Sequence, residues 1–143
     1  VDLYIIGLQE VQGLSGKNAL LTEKDKGRQW AFAVQRALPG YKMAVARQMV
    51  GIYLCVLVRD ELAGALTDVQ VADLGTGFMN QGGNKGGVAA RFRIAGMSLC
   101  CVSAHLAAQT DNTERRNQDY HDICNRLDFD QFAQEPPVRP EDL

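Results

Sequence analysis

The chain has 143 residues, 46% apolar and 22% charged, with a net charge of −2 and a pI near 5.6. That is enough chain for one globular domain with a real core, and its composition excludes disorder. The acidic balance argues against a general nucleic-acid binder, and no apolar run approaches the roughly 20 residues of a membrane span.

The N-terminal VDLYIIGLQEV lacks the basic start and small-residue cleavage site of a signal peptide and opens directly on a core strand. That abrupt start suggests a piece of something longer. Leu3 to Leu8 is a continuous apolar run, as expected of a strand covered on both faces. It ends at Gln9 and Glu10, and Glu10 reads equally as a carboxylate that is paired or metal-bound or as a solvated residue starting a loop. Gln12 to Lys26 reads as a loop or a loop entering a helix. From Gly27 the apolar residues Trp30, Val34, Ala37 and Leu38 recur at helical spacing, with Trp30 expected in the core, and Pro39-Gly40 stops the helix.

Strands are expected over Tyr41–Met49, Gly51–Arg59 and Ala65–Leu74, with Gly51 as a bulge or tight turn and Asp60–Gly64 as a connection. A glycine-rich stretch from Leu74 to Gly87 carries Asn84 and Lys85. Val88–Ile94 and Met97–Ala104 then predict a hairpin across Ala95-Gly96. Asp111 and Glu114, three apart, resemble a capping box before a helix with Tyr120, Ile123, Cys124 and Leu127 as its apolar stripe. Arg116 and Asn117 share that face, one turn nearer the N-terminus. Asp128 to Leu143, with three prolines and five acidic residues, reads as an exposed loop or linker. The four cysteines form no C-x-x-C pair and no zinc spacing, so buried free thiols in a reducing compartment are expected. Cys100 and Cys101 should point to opposite faces.

Three features bear on chemistry. The glycine stretch fails the nucleotide-binding pattern G-x-x-x-x-G-K-[ST], since Asn84 precedes Lys85 and Gly86 follows it. Its glycines either relieve a turn or let backbone and Lys85 approach a phosphate. His105, at a strand end, is either a structural residue paired with Asp111, Asp119 or Asp122, or a site residue. The run Glu114-Arg115-Arg116-Asn117 starts a helix, where an anion is favoured; facing inward, Arg116 and Asn117 need a buried anionic or polar partner.

Together, the segments LYIIGLQEV, GNKGGVAARF, SAHLAA and ERRNQDYHDIC closely resemble the inositol polyphosphate 5-phosphatase catalytic domain, nearest to the branch typified by the Lowe-syndrome phosphatase. The resemblance covers residues 1–128, as the N-terminal part of such a domain, with 129–143 as the acidic linker. It implies an α/β architecture, a partial endonuclease/exonuclease/phosphatase four-layered sandwich of mostly antiparallel sheet with flanking helices. It also implies a Mg²⁺-dependent enzyme that removes the 5-phosphate from phosphoinositides or inositol polyphosphates, in the cytoplasm and at the cytosolic face of membranes. By the same resemblance Glu10 is the metal-binding glutamate and His105 the catalytic histidine. Asn84, Lys85, Arg116 and Asn117 would be substrate-binding. The family's later motifs, W-x-G-D-x-N-Y-R and S-D-H among them, are not in this stretch. The chain is therefore expected to be a front half, inactive alone and with its inner face uncovered. A nuclease or phosphodiesterase of the same superfamily and a non-catalytic phosphoinositide-binding module are the alternatives.

Overall fold

In the computed structural model, residues 1–12, 23–77 and 84–129 are described. The glycines at 82 and 83, most of the loop expected over 12–26, and all but the first residue of the 129–143 linker lie outside them. The order of elements is β1 (Leu3–Leu8), α1 (Glu23–Ala37), β2 (Tyr41–Met49), β3 (Ile52–Arg59), a 3₁₀ turn over Asp60–Ala65, β4 (Leu66–Gly75), β5 (Gly86–Ile94), β6 (Met97–His105) and α2 (Thr113–Arg126). The strands form two antiparallel three-stranded sheets, ordered β1-β3-β2 and β4-β5-β6.

The dense apolar run of β3 explains its central place, because both of its faces are covered. Ile52, Leu54, Val56 and Val58 point to the second sheet and pack with Val88, Ala90, Phe92 and Ile94. Tyr53, Cys55 and Leu57 point the other way, onto Ala31 and Val34 of α1 and Leu38 just after it. On the far side, Ile123 of α2 approaches Gly87 so closely that a Cβ there would lie 3.3 Å from it. The layers therefore run helix, sheet, sheet, helix. Ala95 and Gly96 both take left-handed backbone (φ 48° and 81°), the pattern of a two-residue hairpin turn.

Four expectations are corrected. The inner face is not left bare, because β4-β5-β6 folds over β1-β3-β2 within this same chain and Phe92 fills the interface. What stays open is one edge, where Ile5 shares the inward side of β1 with Leu3 and Gly7 yet is 47% exposed. Helix α1 begins at Glu23, and its inward set is Gly27, Ala31 and Val34, continued by Leu38 just past its end. Small residues allow close approach to the sheet (a Cβ on Gly27 would sit 2.6 Å from Gln48 Oε1), and Trp30 is left at the flank, 40% exposed. Helix α2 has Asn112 as N-cap with no side-chain capping bond, so the Asp111–Glu114 box does not form. Its buried residues are Asp119 and Ile123, whereas Tyr120 and Cys124 are exposed.

All four cysteines are free, but only Cys55 is buried; Cys100 and Cys124 are exposed. Cys101 is more covered than its neighbour Cys100, as strand alternation requires. Burial pushes the Cys55 thiol up to about 11 and also raises the neighbouring Tyr53 phenol. A group whose folded pKa lies above its unfolded value stabilises the fold below the unfolded pKa and loses that stabilisation as pH rises toward the folded one. The urea midpoint is therefore expected to hold up to about pH 9 and to fall between about pH 9 and 11. Urea titrations at pH 8, 9.5 and 10.5, repeated on Cys55→Ala, check this. The early part of the fall should shrink in the variant.

Candidate active site

The carboxylate comes from the end of β1. Glu10 has left-handed backbone (φ 56°), which turns the chain sharply off the strand. The turn is pinned by Val11 N–H, which donates to Gly51 O at 3.1 Å, and by Gln9 Nε2, which donates to Ala104 O on β6. The lysine comes from the connection between β4 and β5. Thr76 N–H donates to Lys85 O at 2.8 Å, closing the base of that connection. Gly86 follows with φ 142°, and a Cβ there would stand 2.0 Å from Leu74 O, so no other residue fits. The histidine ends β6. Because Gly86 pairs with His105 across β5–β6, Lys85 is delivered beside the imidazole.

The three side chains meet. Lys85 Nζ lies 2.6 Å from His105 Nε2, and Glu10 Oε1 lies 3.7 Å from the same nitrogen. An ammonium can only donate, so Nε2 accepts and the ring proton sits on Nδ1. Nδ1 itself is buried with no hydrogen-bond partner among the described residues. Desolvation, then the Lys85 charge, hold the His105 pKa below the usual histidine range; Glu10 and the Asn84 carbonyl oppose them more weakly. The imidazole is thus neutral at pH 7. The Glu10 carboxylate is 80% exposed, with its lone pairs open to solvent.

These residues line a cleft of about 310 Å³ with Asn84, Gln12, Val50 and Gly51. Gln48 supports its wall, since Nε2 donates to Gln12 Oε1 and Val50 O. Gln12, Val50 and Gly51 were not picked out from the sequence as site residues; the one signal pointing to Gly51 was its position between two strands.

Of the expected site residues, Glu10, Asn84, Lys85 and His105 share the cleft, whereas Arg116 and Asn117 do not line it. Asn117 is exposed. The Arg116 guanidinium is taken up by its own neighbourhood, donating to the carbonyls of Ala107, Gln109 and Thr110 and to Thr113 Oγ1. His105 pairs with none of Asp111, Asp119 and Asp122 in the described contacts; its acidic neighbour is Glu10. An ammonium, a neutral imidazole and an open carboxylate on one cleft suit the binding of a phosphate and the charge changes that accompany its transfer.

Residues 1–140 match the family model described as Endonuclease/Exonuclease/phosphatase family 2. The chain is 42% identical over 141 residues to the type II inositol 1,4,5-trisphosphate 5-phosphatase of Mus musculus, covering 96% of this chain and 14% of that protein. It is 32% identical to human synaptojanin-1, over 90% of this chain and 8% of that one. Among solved structures, the inositol polyphosphate 5-phosphatase domain of a synaptojanin, in complex with inositol (1,4)-bisphosphate and calcium ion, superposes with a TM-score of 0.77 at 30% identity. That match covers 90% of this chain and 38% of the other, so the chain spans less than half the length of each. The layered antiparallel sheets are those of an inositol polyphosphate 5-phosphatase domain. The chain belongs to the endonuclease/exonuclease/phosphatase family.

Proposed function

We propose, on the premise of that family membership, that the protein containing this chain is a Mg²⁺-dependent inositol polyphosphate 5-phosphatase, to which this chain contributes Glu10, Asn84, Lys85 and His105. The observation that carries the reading is the meeting of Lys85, His105 and Glu10 on one cleft. Support comes from the relatives, two of them named for inositol phosphate 5-phosphatase activity or domain, one of these bound to an inositol bisphosphate. The higher identity to the type II enzyme (42%) than to synaptojanin-1 (32%) supports a branch other than the synaptojanins.

The donor set fits a hard divalent cation. No group of three His, Cys, Asp or Glu side chains able to hold a metal occurs among the described residues. The exposed Glu10 carboxylate is an oxygen donor, which suits Mg²⁺, an ion that often takes only one or two carboxylates and completes its shell with water and phosphate oxygens. Glu10 would hold the ion. When bound, such an ion draws charge from the phosphate oxygens as the ester bond breaks.

The chain's own residues supply the rest. Lys85 would turn its ammonium from His105 to a phosphate oxygen. With Lys85 turned to the phosphate, one of the two causes that hold the imidazole neutral is weakened, and His105 would donate from Nε2 toward the developing negative charge. Asn84 adds an amide at the rim. The substrate is an inositol phosphate headgroup, free or on a phosphoinositide at the cytosolic face of a membrane. No described helix is long and apolar enough to cross one.

Malachite-green detection of phosphate released from inositol 1,4,5-trisphosphate by the full-length protein tests this. Release should require Mg²⁺, stop with EDTA, and fall at least 100-fold in Glu10→Gln. The 143-residue chain alone should release none. Turnover that persists in EDTA, or in Glu10→Gln, rejects the reading; nicking of plasmid DNA without inositol phosphate turnover would replace it with a nuclease.

A further inference from the structure

We propose that Arg115 and Asp119 of α2 are positioning residues that hold Lys85 and His105 in register, through a brace running behind the cleft. The inference rests on the phosphatase reading for its kinetic readout only. Asp119 is 1% exposed, on the inward face of α2 one turn before Ile123. Its Oδ2 accepts the N–H of Ala107 at 2.8 Å, two residues past His105. Its Oδ1 stands 3.1 Å from Arg115 Nε, an ion pair rather than an aligned hydrogen bond. The same guanidinium donates through its terminal nitrogen to Thr76 O. Thr76 in turn donates its N–H to Lys85 O.

The path is therefore continuous. From Asp119 one arm reaches the end of β6 and fixes where His105 stands; the other passes through Arg115 and Thr76 to the backbone of Lys85. Neither Arg115 nor Asp119 lines the cleft. A buried carboxylate is costly unless paired and hydrogen-bonded, and an apolar residue would pack between sheet and helix as Ile123 does. The two tethers account for a carboxylate at this place. Arg116 grips the 107–110 segment from its carbonyl side, so the strand end is held on both its donor and its acceptor edge.

The test compares the full-length wild type with Asp119→Asn, Arg115→Gln, the double variant and Arg115→Lys. Asparagine keeps the shape and an acceptor for Ala107 but removes the charge that holds Arg115. For phosphate release from inositol 1,4,5-trisphosphate, kcat should fall at least tenfold in each of the first two, with KM changed less than threefold. The double variant should be no worse than the weaker single, since one unit is broken once, and Arg115→Lys should recover part of kcat. Amide hydrogen exchange is read on the same proteins. Thr76 N–H, which touches neither altered side chain, should exchange at least tenfold faster in Asp119→Asn. Unchanged exchange at Thr76 overturns the brace whatever the activity, and so does a loss confined to thermal stability with kcat intact. Faster exchange at Thr76 in a protein that turns over no inositol phosphate would uphold the brace and reject the phosphatase reading instead.

Discussion

His105→Ala in the full-length protein is expected to lower kcat for phosphate release by about 10²–10³-fold, with KM changed only a few-fold. The expectation follows from where the imidazole stands. In the cleft Nε2 accepts from Lys85, and the ring is neutral because desolvation and that ammonium both oppose its charge. On the proposed reaction, Lys85 moves to the phosphate and Nε2 donates only as negative charge builds up. An interaction made mainly in the transition state is lost from kcat rather than from KM. Lys85→Ala should differ in kind: it removes a ground-state cation, so KM should rise most. Steady-state kinetics on both variants, at fixed Mg²⁺, separate the two roles. A His105→Ala enzyme that kept more than a tenth of wild-type kcat would remove the imidazole from the chemistry.

Gly86→Ala is expected to be the most damaging glycine-to-alanine change among the described residues. With φ at 142°, a Cβ would stand 2.0 Å from the carbonyl oxygen of Leu74 and 3.0 Å from Gly75 Cα. Both obstacles are backbone, in the strand that pairs with β5 at this very register. Relief requires opening the Gly75–Gly86 pair, at a cost of about 3 kcal/mol or more. For a domain of this size that lowers the thermal midpoint by about 10 °C. Gly96→Ala is the control. Its φ is also positive, 81°, but nothing lies within 4 Å of the added carbon, so only the left-handed strain of about 1 kcal/mol applies. Calorimetry on the two variants should show this order. Gly86→Ala should also lose activity beyond its loss of stability, because the residue it displaces is Lys85.

The strands were legible from sequence because apolar density and turn residues agree there. The run through β3 and the Ala95-Gly96 turn each point to one structure. Helix phase was harder. In α1 the inward positions are Gly27 and Ala31, which contribute almost nothing to a hydrophobic pattern, while Trp30 dominates it and sits at the flank. In α2 one of the two buried residues is an aspartate, and no apolar stripe can reveal it. The inward arginine there is Arg115, one position before the Arg116 that the stripe suggested. The meeting of Glu10 and His105 was legible only by resemblance, since 95 positions of chain separate them. Their contact is produced by a strand register and by the packing of two sheets, and neither leaves a local mark in the sequence.

The open flank at Ile5 also bears on how the protein can be handled. β1 and β6 are the outer strands of their sheets and lie against one another, with Gly7 beside Ser103. Among the described residues no further strand pairs with the outer edge of either, and both stand beside an isoleucine that is 47% exposed. A paired edge of this kind is a template for any extended segment that meets it, including one from another copy. Solubility of a recombinant product should therefore depend less on the surface charge of this chain than on whether that flank is covered.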